Sequence, residues 1–147
     1  MKKIGLVGKT LKHSFSKDIH SYLGSYEYSL IELDEEEFDS FLLCKDFEAI
    51  NVTIPYKEKV IKYLDFVSEE VNYIKACKLV INRDGKLYGY NTDAYGLEIG
   101  ILSIGGVKDK ICLILGSGGT YKTASYVLKK KKKKKVYGVS RSHKEGF

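Results

Sequence analysis

Between Lys3 and Val71 the chain repeatedly exchanges one hydrophobic period for another, and this alternation restricts its fold more than any other feature. "KKIGLVG" (2–8), "YEYSLIELD" (26–34) and "FEAINVTIP" (47–55) are short β-rich runs. Stretches with apolar residues at helical spacing follow them. These are "KDIHSYLGSY" (17–26), with Ser16 as its expected N-cap, the acidic-started "EEEFDSFLLC" (35–44), and "YKEKVIKYLDFVSEEV" (56–71), which places Val60, Ile61, Leu64, Val67 and Val71 at helical intervals. A strand that alternates with helices pairs in parallel after a crossover, and the helices cover the sheet. The expectation is an α/β fold, a three-layer domain around a mostly parallel sheet. "KLVINRDGKLYGYN" (78–91) adds two β runs around Asp84-Gly85, a hairpin signal, so an antiparallel pair joins the parallel part.

The chain has one proline, Pro55, in "NVTIPYK" (51–57). Proline ends a strand because it has no N–H for the ladder, and it disfavours helix in the residue before it. It therefore marks the carboxyl edge of the third strand, and Lys57 falls in the first turn of the helix that follows. The positive end of a helix dipole is a poor place for an ammonium group, so this lysine is either turned to solvent or kept for chemistry.

The first domain is expected to end near Ile104, with Gly105 and Gly106 in a short linker and a second domain over 105–147. There "ICLILGSGGTYKTASYVL" (111–128) is a strand, a glycine turn and a helix, the arrangement in which backbone N–H groups hold a pyrophosphate. Gly116, Ser117, Gly118 and Gly119 form the turn, and Tyr121 stands where the fingerprint has its third glycine. The next strand ends in Ser140, Arg141 and Ser142, which suit a 2′-phosphate better than a free ribose hydroxyl, so NADP is favoured over NAD. This is an incomplete Rossmann-like unit. Two strands and one helix cannot cover both faces of a sheet, which leaves apolar surface exposed or calls for a partner chain, a homodimer among the options.

Composition removes several classes. With 147 residues and 44% hydrophobic content the chain can bury a core. No apolar run is long enough to span a bilayer and the start lacks a secretory signal, so the cytoplasm is the expected location. Cys44, Cys77 and Cys112 have neither disulfide parity nor metal-ligand spacing and are expected to be buried thiols, with no metal site. The formal charge of +6 falls to −1 when the seven lysines of the unbroken run Lys129–Lys135 are set aside, and no aromatic residue interleaves with that run. The basicity is local, and no specific nucleic-acid role is expected.

"HSFS" (13–16), "NVTIPYK" (51–57), "GYNTDAYG" (89–96) and "LGSGG" (115–119), in this order, resemble the shikimate dehydrogenase family. The resemblance implies NADPH-dependent reduction of 3-dehydroshikimate to shikimate in aromatic amino acid biosynthesis. Residues 1–104 would form the substrate-binding catalytic domain and 105–147 part of the NADP-binding domain, as a truncated chain with little activity of its own. By the same resemblance Ser14 and Ser16 would bind the substrate carboxylate and Thr53 a ring hydroxyl. Lys57 and Asp93 would flank the reacting carbon, Lys57 as proton donor and Asp93 on the ring hydroxyls. Asp93 also suits an N-cap, since "NTD" precedes a helix.

Two departures stand out. Where the family pattern has an asparagine and a threonine before the hairpin, this chain reads "KACKL", which puts Lys78 and Leu79 there. Lys78 could still reach a substrate hydroxyl or carboxylate, but an amide that donates and accepts has become a cation. The lysine run also replaces the glycine that closes the nucleotide-domain helix. A quinate-using relative, a non-catalytic nucleotide-binding module and a basic interaction protein remain as alternatives.

Overall fold

The computed structural model describes residues 3–117, 119–131 and 133–140. The chain divides into two compact units, Met1–Asn91 and Thr92–Phe147.

In the first unit the alternation read from the sequence becomes a six-stranded sheet of order β2-β1-β3-β5-β6-β4. Its strands are β1 (Lys3–Gly8), β2 (Ser29–Glu32), β3 (Phe47–Val52), β4 (Phe66–Val67), β5 (Leu79–Arg83) and β6 (Lys86–Tyr90). β1 pairs in parallel with β2 and β3, and β4 with β6, while β3–β5 and β5–β6 are antiparallel. The β5–β6 hairpin turns at Asp84 and Gly85, both at positive φ, as a two-residue hairpin requires.

The helices are α1 (Ser16–Leu23), α2 (Glu35–Cys44), α3 (Tyr56–Lys59) and α4 (Glu69–Ile74). α2 starts where the sequence places it because Asp34 caps it. The Asp34 side chain accepts from the Glu36 and Glu37 N–H groups, and the Glu37 carboxylate accepts from the Asp34 N–H in return.

Three expectations fail here. The stretch 56–71 is not one helix: α3 lasts four residues, tightens into a 3-10 turn at Val60–Tyr63, and gives way to extended Leu64 and strand β4, before Ser68 caps α4. Pairing of Phe66 and Val67 with β6 overrides the helical spacing. Ser16 is not the N-cap of α1 but its first residue; the Ser14 hydroxyl accepts the Ser16 N–H at 3.2 Å instead. Of the three thiols, Cys77 is buried and Cys112 half-buried, while Cys44 at the end of α2 is exposed, contrary to expectation.

Successive residues of β1 serve opposite faces. Val7 joins Ile50, Val52, Phe38, Phe47 and Tyr56 in the main core. Tyr56 stacks on Phe38 with ring centroids 4.1 Å apart and donates its hydroxyl to the Leu33 carbonyl at 2.7 Å, so its one polar atom is satisfied. Leu6 faces the other way into a smaller cluster with Leu11 and Tyr28.

The second unit holds α5 (Thr92–Ser103), β7 (Ile111–Leu115), α6 (Gly119–Lys129) and β8 (Lys135–Val139), with β7 and β8 parallel. α5, expected to close the first domain, groups with this unit because it packs on α6. The expected glycine linker is the cap of α5. Gly105 N–H bonds the Leu102 carbonyl and Gly106 N–H that of Ile101, with both glycines at positive φ, the Schellman arrangement. Ile111, Leu113 and Leu115 all lie exposed along one face of β7, an uncovered apolar surface.

Candidate functional site

Ligands of open α/β sheets bind beyond the carboxyl ends of the parallel strands. At that edge of β1 and β3 the first unit has a cleft of about 340 Å³. The loop after β1 forms one wall. Glu32 accepts the Leu11 N–H at 2.5 Å, and Ser14 N–H bonds the Leu11 carbonyl at 2.9 Å, which folds residues 11–14 into a turn. Ser14 and Ser16, both half-buried, line the cleft from this turn and from the start of α1. The other wall is Thr53, just past β3, where its N–H is held by the Val7 carbonyl at 2.9 Å.

Lys78 also lines the cleft. Its backbone sits at the head of β5, accepting the Val52 N–H at 2.7 Å and donating to the Tyr90 carbonyl at 2.9 Å. The chain just before it is anchored as firmly. Cys77 is fully buried, and burial pushes its thiol up to about 11. Four of the residues singled out from the sequence, Ser14, Ser16, Thr53 and Lys78, therefore share one cleft.

Sequence reasoning missed Thr10, Lys12 and His13, which add a hydroxyl, an ammonium and an imidazole to the lining. Their signal was position: "GKTLKHS" leaves the carboxyl end of the first strand. Leu6 and Leu11 supply the apolar part, backed by Tyr28. Tyr28 is itself fixed by the Asn51 amide, which donates to its hydroxyl at 2.8 Å, and by His20, stacked on it at 3.7 Å. Burial raises the Tyr28 phenol and lowers the His20 imidazole, favouring the neutral form of each. None of the described residues lining the cleft is acidic, and the Glu32 carboxylate stands behind it on the Leu11 N–H. A cleft of this size with hydroxyls and cations and no carboxylate suits a small anion bearing hydroxyl groups.

Pro55 does its expected work. Tyr56 N–H bonds the Thr53 carbonyl at 2.9 Å across the Ile54–Pro55 cis bond, and the chain turns at once into α3. Lys57 follows in the first turn of α3, half-buried, outside the lining of the cleft itself. A four-residue helix sums few peptide dipoles, so the expected dipole penalty on Lys57 loses its cause. The Lys57 carbonyl accepts the Cys77 N–H at 2.8 Å, which ties α3 to the segment carrying Lys78. Asp93 belongs to the second unit, in the first turn of α5.

In the second unit the β7–α6 turn has Gly116 at φ +113°, and a Cβ there would meet nothing within 4 Å. Its N–H donates to the Val139 carbonyl at 2.7 Å, fixing the turn against the end of β8. Ser117 is exposed beside it, Gly119 opens α6, whose first turn has no acidic residue, and Ser140 follows β8 at the same carboxyl edge. An open glycine turn before an eleven-residue helix fits a phosphate-bearing cofactor. Gly118, Arg141 and Ser142 lie outside the described residues.

Comparison with known proteins decides the family. The shikimate dehydrogenase substrate binding domain matches residues 6–80, which span β1 to the start of β5 and include the whole lining of the cleft. The chain belongs to the shikimate dehydrogenase family. A shikimate dehydrogenase (NADP(+)) of Caldicellulosiruptor bescii is 42% identical, the alignment covering 97% of this chain and 54% of that protein. That of Clostridium beijerinckii is 40% identical, with 96% and 56% covered. Among solved structures, shikimate dehydrogenase 1 from Peptoclostridium difficile superposes with a TM-score of 0.84 at 34% identity, over 99% of this chain and 57% of that one. Shikimate 5-dehydrogenase from Thermus thermophilus, solved in complex with NADP(H) and shikimate, gives 0.82 at 29%, over 97% and 57%. The chain thus spans about half the length of the shikimate dehydrogenases it matches. No helix among the described residues is long and apolar enough to cross a membrane.

Proposed function

We propose that the first unit is the substrate-binding part of an NADP-dependent shikimate dehydrogenase, which reduces 3-dehydroshikimate to shikimate in the cytoplasm. The observation that supports this most is the cleft itself, which gathers Ser14, Ser16 and Thr53 from two separate segments. In this reading the hydroxyls of Ser14 and Ser16 donate to the substrate carboxylate, with Lys12 adding positive charge to the same loop. Thr53 bonds a ring hydroxyl. Lys57 donates a proton to the carbonyl oxygen as that carbon is reduced, so that C=O becomes CH–OH. The role that the resemblance implies for Asp93, on the ring hydroxyls, is part of the same proposal.

The functional division proposed is substrate binding over 1–104 and NADP binding over 105–147. Gly116, Ser117, Gly118 and Gly119 would hold the pyrophosphate, and Ser140, Arg141 and Ser142 the 2′-phosphate. NADPH, when bound, supplies the hydride. Hydride transfer needs the two reactants held at near-attack distance, which can account for about 7–11 kcal/mol of a barrier. Since the chain spans about half of its relatives' length, we infer that these 147 residues alone turn over slowly or not at all. A homodimer is a further part of the proposal.

Titration calorimetry with shikimate tests the cleft. A hydrogen bond to a charged group is worth about 1.5–3 kcal/mol, so Ser14→Ala should weaken binding by roughly tenfold or more. Equal affinity of the two proteins would count against the assignment. Absorbance of reduced cofactor tests the chemistry. Turnover is expected only when a polypeptide with the remaining nucleotide-domain strands is supplied, and should vanish in Lys57→Ala.

A further inference from the structure

Within that reading of the cleft, Ser16 needs a support that the packing of its own helix does not supply. We propose that His20 is a positioning residue for substrate binding, which holds α1 so that the Ser16 hydroxyl meets the substrate carboxylate. α1 has no buried residue, and its large apolar side chains, Ile19, Tyr22 and Leu23, are all exposed, so apolar packing does not fasten it. Ser16 and His20 are the two residues of α1 that are half-buried. One helical turn separates them, so they share the face turned to the body of the unit. The Ser14–Ser16 hydrogen bond and the turn at residues 11–14 fix the amino end of this face. His20 fixes the other end through two contacts. Its ring stacks on Tyr28, with centroids 3.7 Å apart and planes 7° from parallel, and its Nδ1 shares a hydrogen bond with the Tyr26 hydroxyl at 2.5 Å. Both tyrosines are held from behind. Tyr26 packs against the cluster of Leu6, Leu11 and Tyr28, and a Cβ on Gly24 would lie 2.6 Å from its ring, so the ring rests against the C-cap of α1. The Tyr28 hydroxyl accepts the Asn51 amide, and Asn51 stands on β3 two residues before Thr53. The contacts from α1 through His20, Tyr28 and Asn51 to β3 therefore join the two walls of the cleft and set their spacing. Freed from His20, α1 pivots on the Ser14 turn, and a hydrogen bond from Ser16 weakens steeply as it loses alignment.

The test is titration calorimetry of the full 147-residue chain with shikimate, for the parent, His20→Ala, His20→Phe and Tyr26→Phe. Each protein is also made in a Ser16→Ala background, and thermal midpoints are recorded alongside. His20→Ala removes both contacts and should weaken binding by roughly five- to tenfold, and Tyr26→Phe, which removes the hydrogen bond alone, by roughly two- to threefold. His20→Phe keeps a flat ring on Tyr28 and should recover part of the loss. In the Ser16→Ala background His20→Ala and Tyr26→Phe should change affinity by less than about twofold, because the hydroxyl through which His20 acts is gone. A general loss of stability would instead weaken binding equally in both backgrounds. If His20→Ala unfolds below the assay temperature, Tyr26→Phe, which keeps every ring in place, decides the comparison. Unchanged affinity in the His20 and Tyr26 variants overturns the inference and leaves the proposed function standing, as does a loss of the same size with and without the Ser16 hydroxyl. Undiminished binding by Ser16→Ala, or no binding by the parent, overturns the reading of the cleft and the inference with it.

Discussion

Replacing Gly8 by alanine tests whether the cleft wall is set by the packing beneath it. Gly8 is the last residue of β1 and is buried, and its carbonyl accepts the Leu33 N–H at 3.0 Å. A Cβ there would lie 2.6 Å from the Thr53 methyl and 2.8 Å from a Leu11 methyl. Carbon atoms rest about 3.5–4.0 Å apart, so each side chain has to retreat by roughly 1 Å. Both are walls of the cleft. Overpacking of this kind costs about 1–3 kcal/mol, offset by about 0.4–1 kcal/mol because alanine restricts the unfolded chain. The expected net loss is about 1–2 kcal/mol in urea unfolding followed by circular dichroism. Displacing the Thr53 hydroxyl removes a hydrogen bond worth about 0.5–1.5 kcal/mol, so shikimate affinity should fall roughly two- to tenfold. Gly5→Ala is the control. Its Cβ would sit 2.3 Å from the Ser29 carbonyl oxygen, a backbone atom of the parallel neighbour, so stability should fall further than in Gly8→Ala. A Gly8→Ala protein with unfolding free energy within about 0.3 kcal/mol of the parent and unchanged affinity would refute the reasoning.

Cys44 should react with a thiol reagent in the native protein and Cys77 only on unfolding, read by mass spectrometry of peptides after timed alkylation. Because burial raises the Cys77 thiol from 9.0 to about 11, the folded protein keeps a proton that the unfolded chain sheds. This contribution to stability is complete below about pH 9 and is lost as pH rises toward 11, by up to about 2.7 kcal/mol in denaturant titrations at fixed pH. The Tyr63 hydroxyl, and then Lys59, at 2.9 Å, hold the Asp39 carboxyl below its ordinary range. Its stabilisation is therefore present above the unfolded carboxyl's pKa and is lost as pH falls through the folded one. Tyr63→Phe should move the Asp39 titration upward by NMR, and an unmoved titration would refute the hydrogen bond. Gly105→Ala, at φ +87°, should destabilise the second unit by about 1–2 kcal/mol, seen as faster amide exchange at the end of α5.

Elements whose boundaries rest on local chemistry were legible from the chain alone. Asp34 and Glu37 cap each other, and α2 begins and ends where its sequence says. Asp84-Gly85 makes its hairpin for the same reason. The stretch after Pro55 was misread because Val60, Ile61, Leu64 and Val67 fit a helical period, whereas two of its residues are claimed by a strand far along the chain. Ser68 followed by Glu69 and Glu70 was the local sign that a new helix starts there. In "HSFS" several residues can cap, and periodicity does not choose among them. For the cleft, Ser14, Ser16, Thr53 and Lys78 were found through motif resemblance, while Thr10, Lys12 and His13 needed the loop that Glu32 pins from a neighbouring strand. No motif carries that long-range contact.

The backbone of Lys78 fastens β3 to β6, and the same residue lines the cleft. Those two duties are chemically independent, because any residue with an N–H can hold the sheet. In the proposed reading of the cleft, substitution at this position alters ligand preference while the backbone bonds of the sheet stay in place. A family built on this sheet has there a site where new specificities can be sampled by single codon changes, and a protein engineer has a position to randomise first.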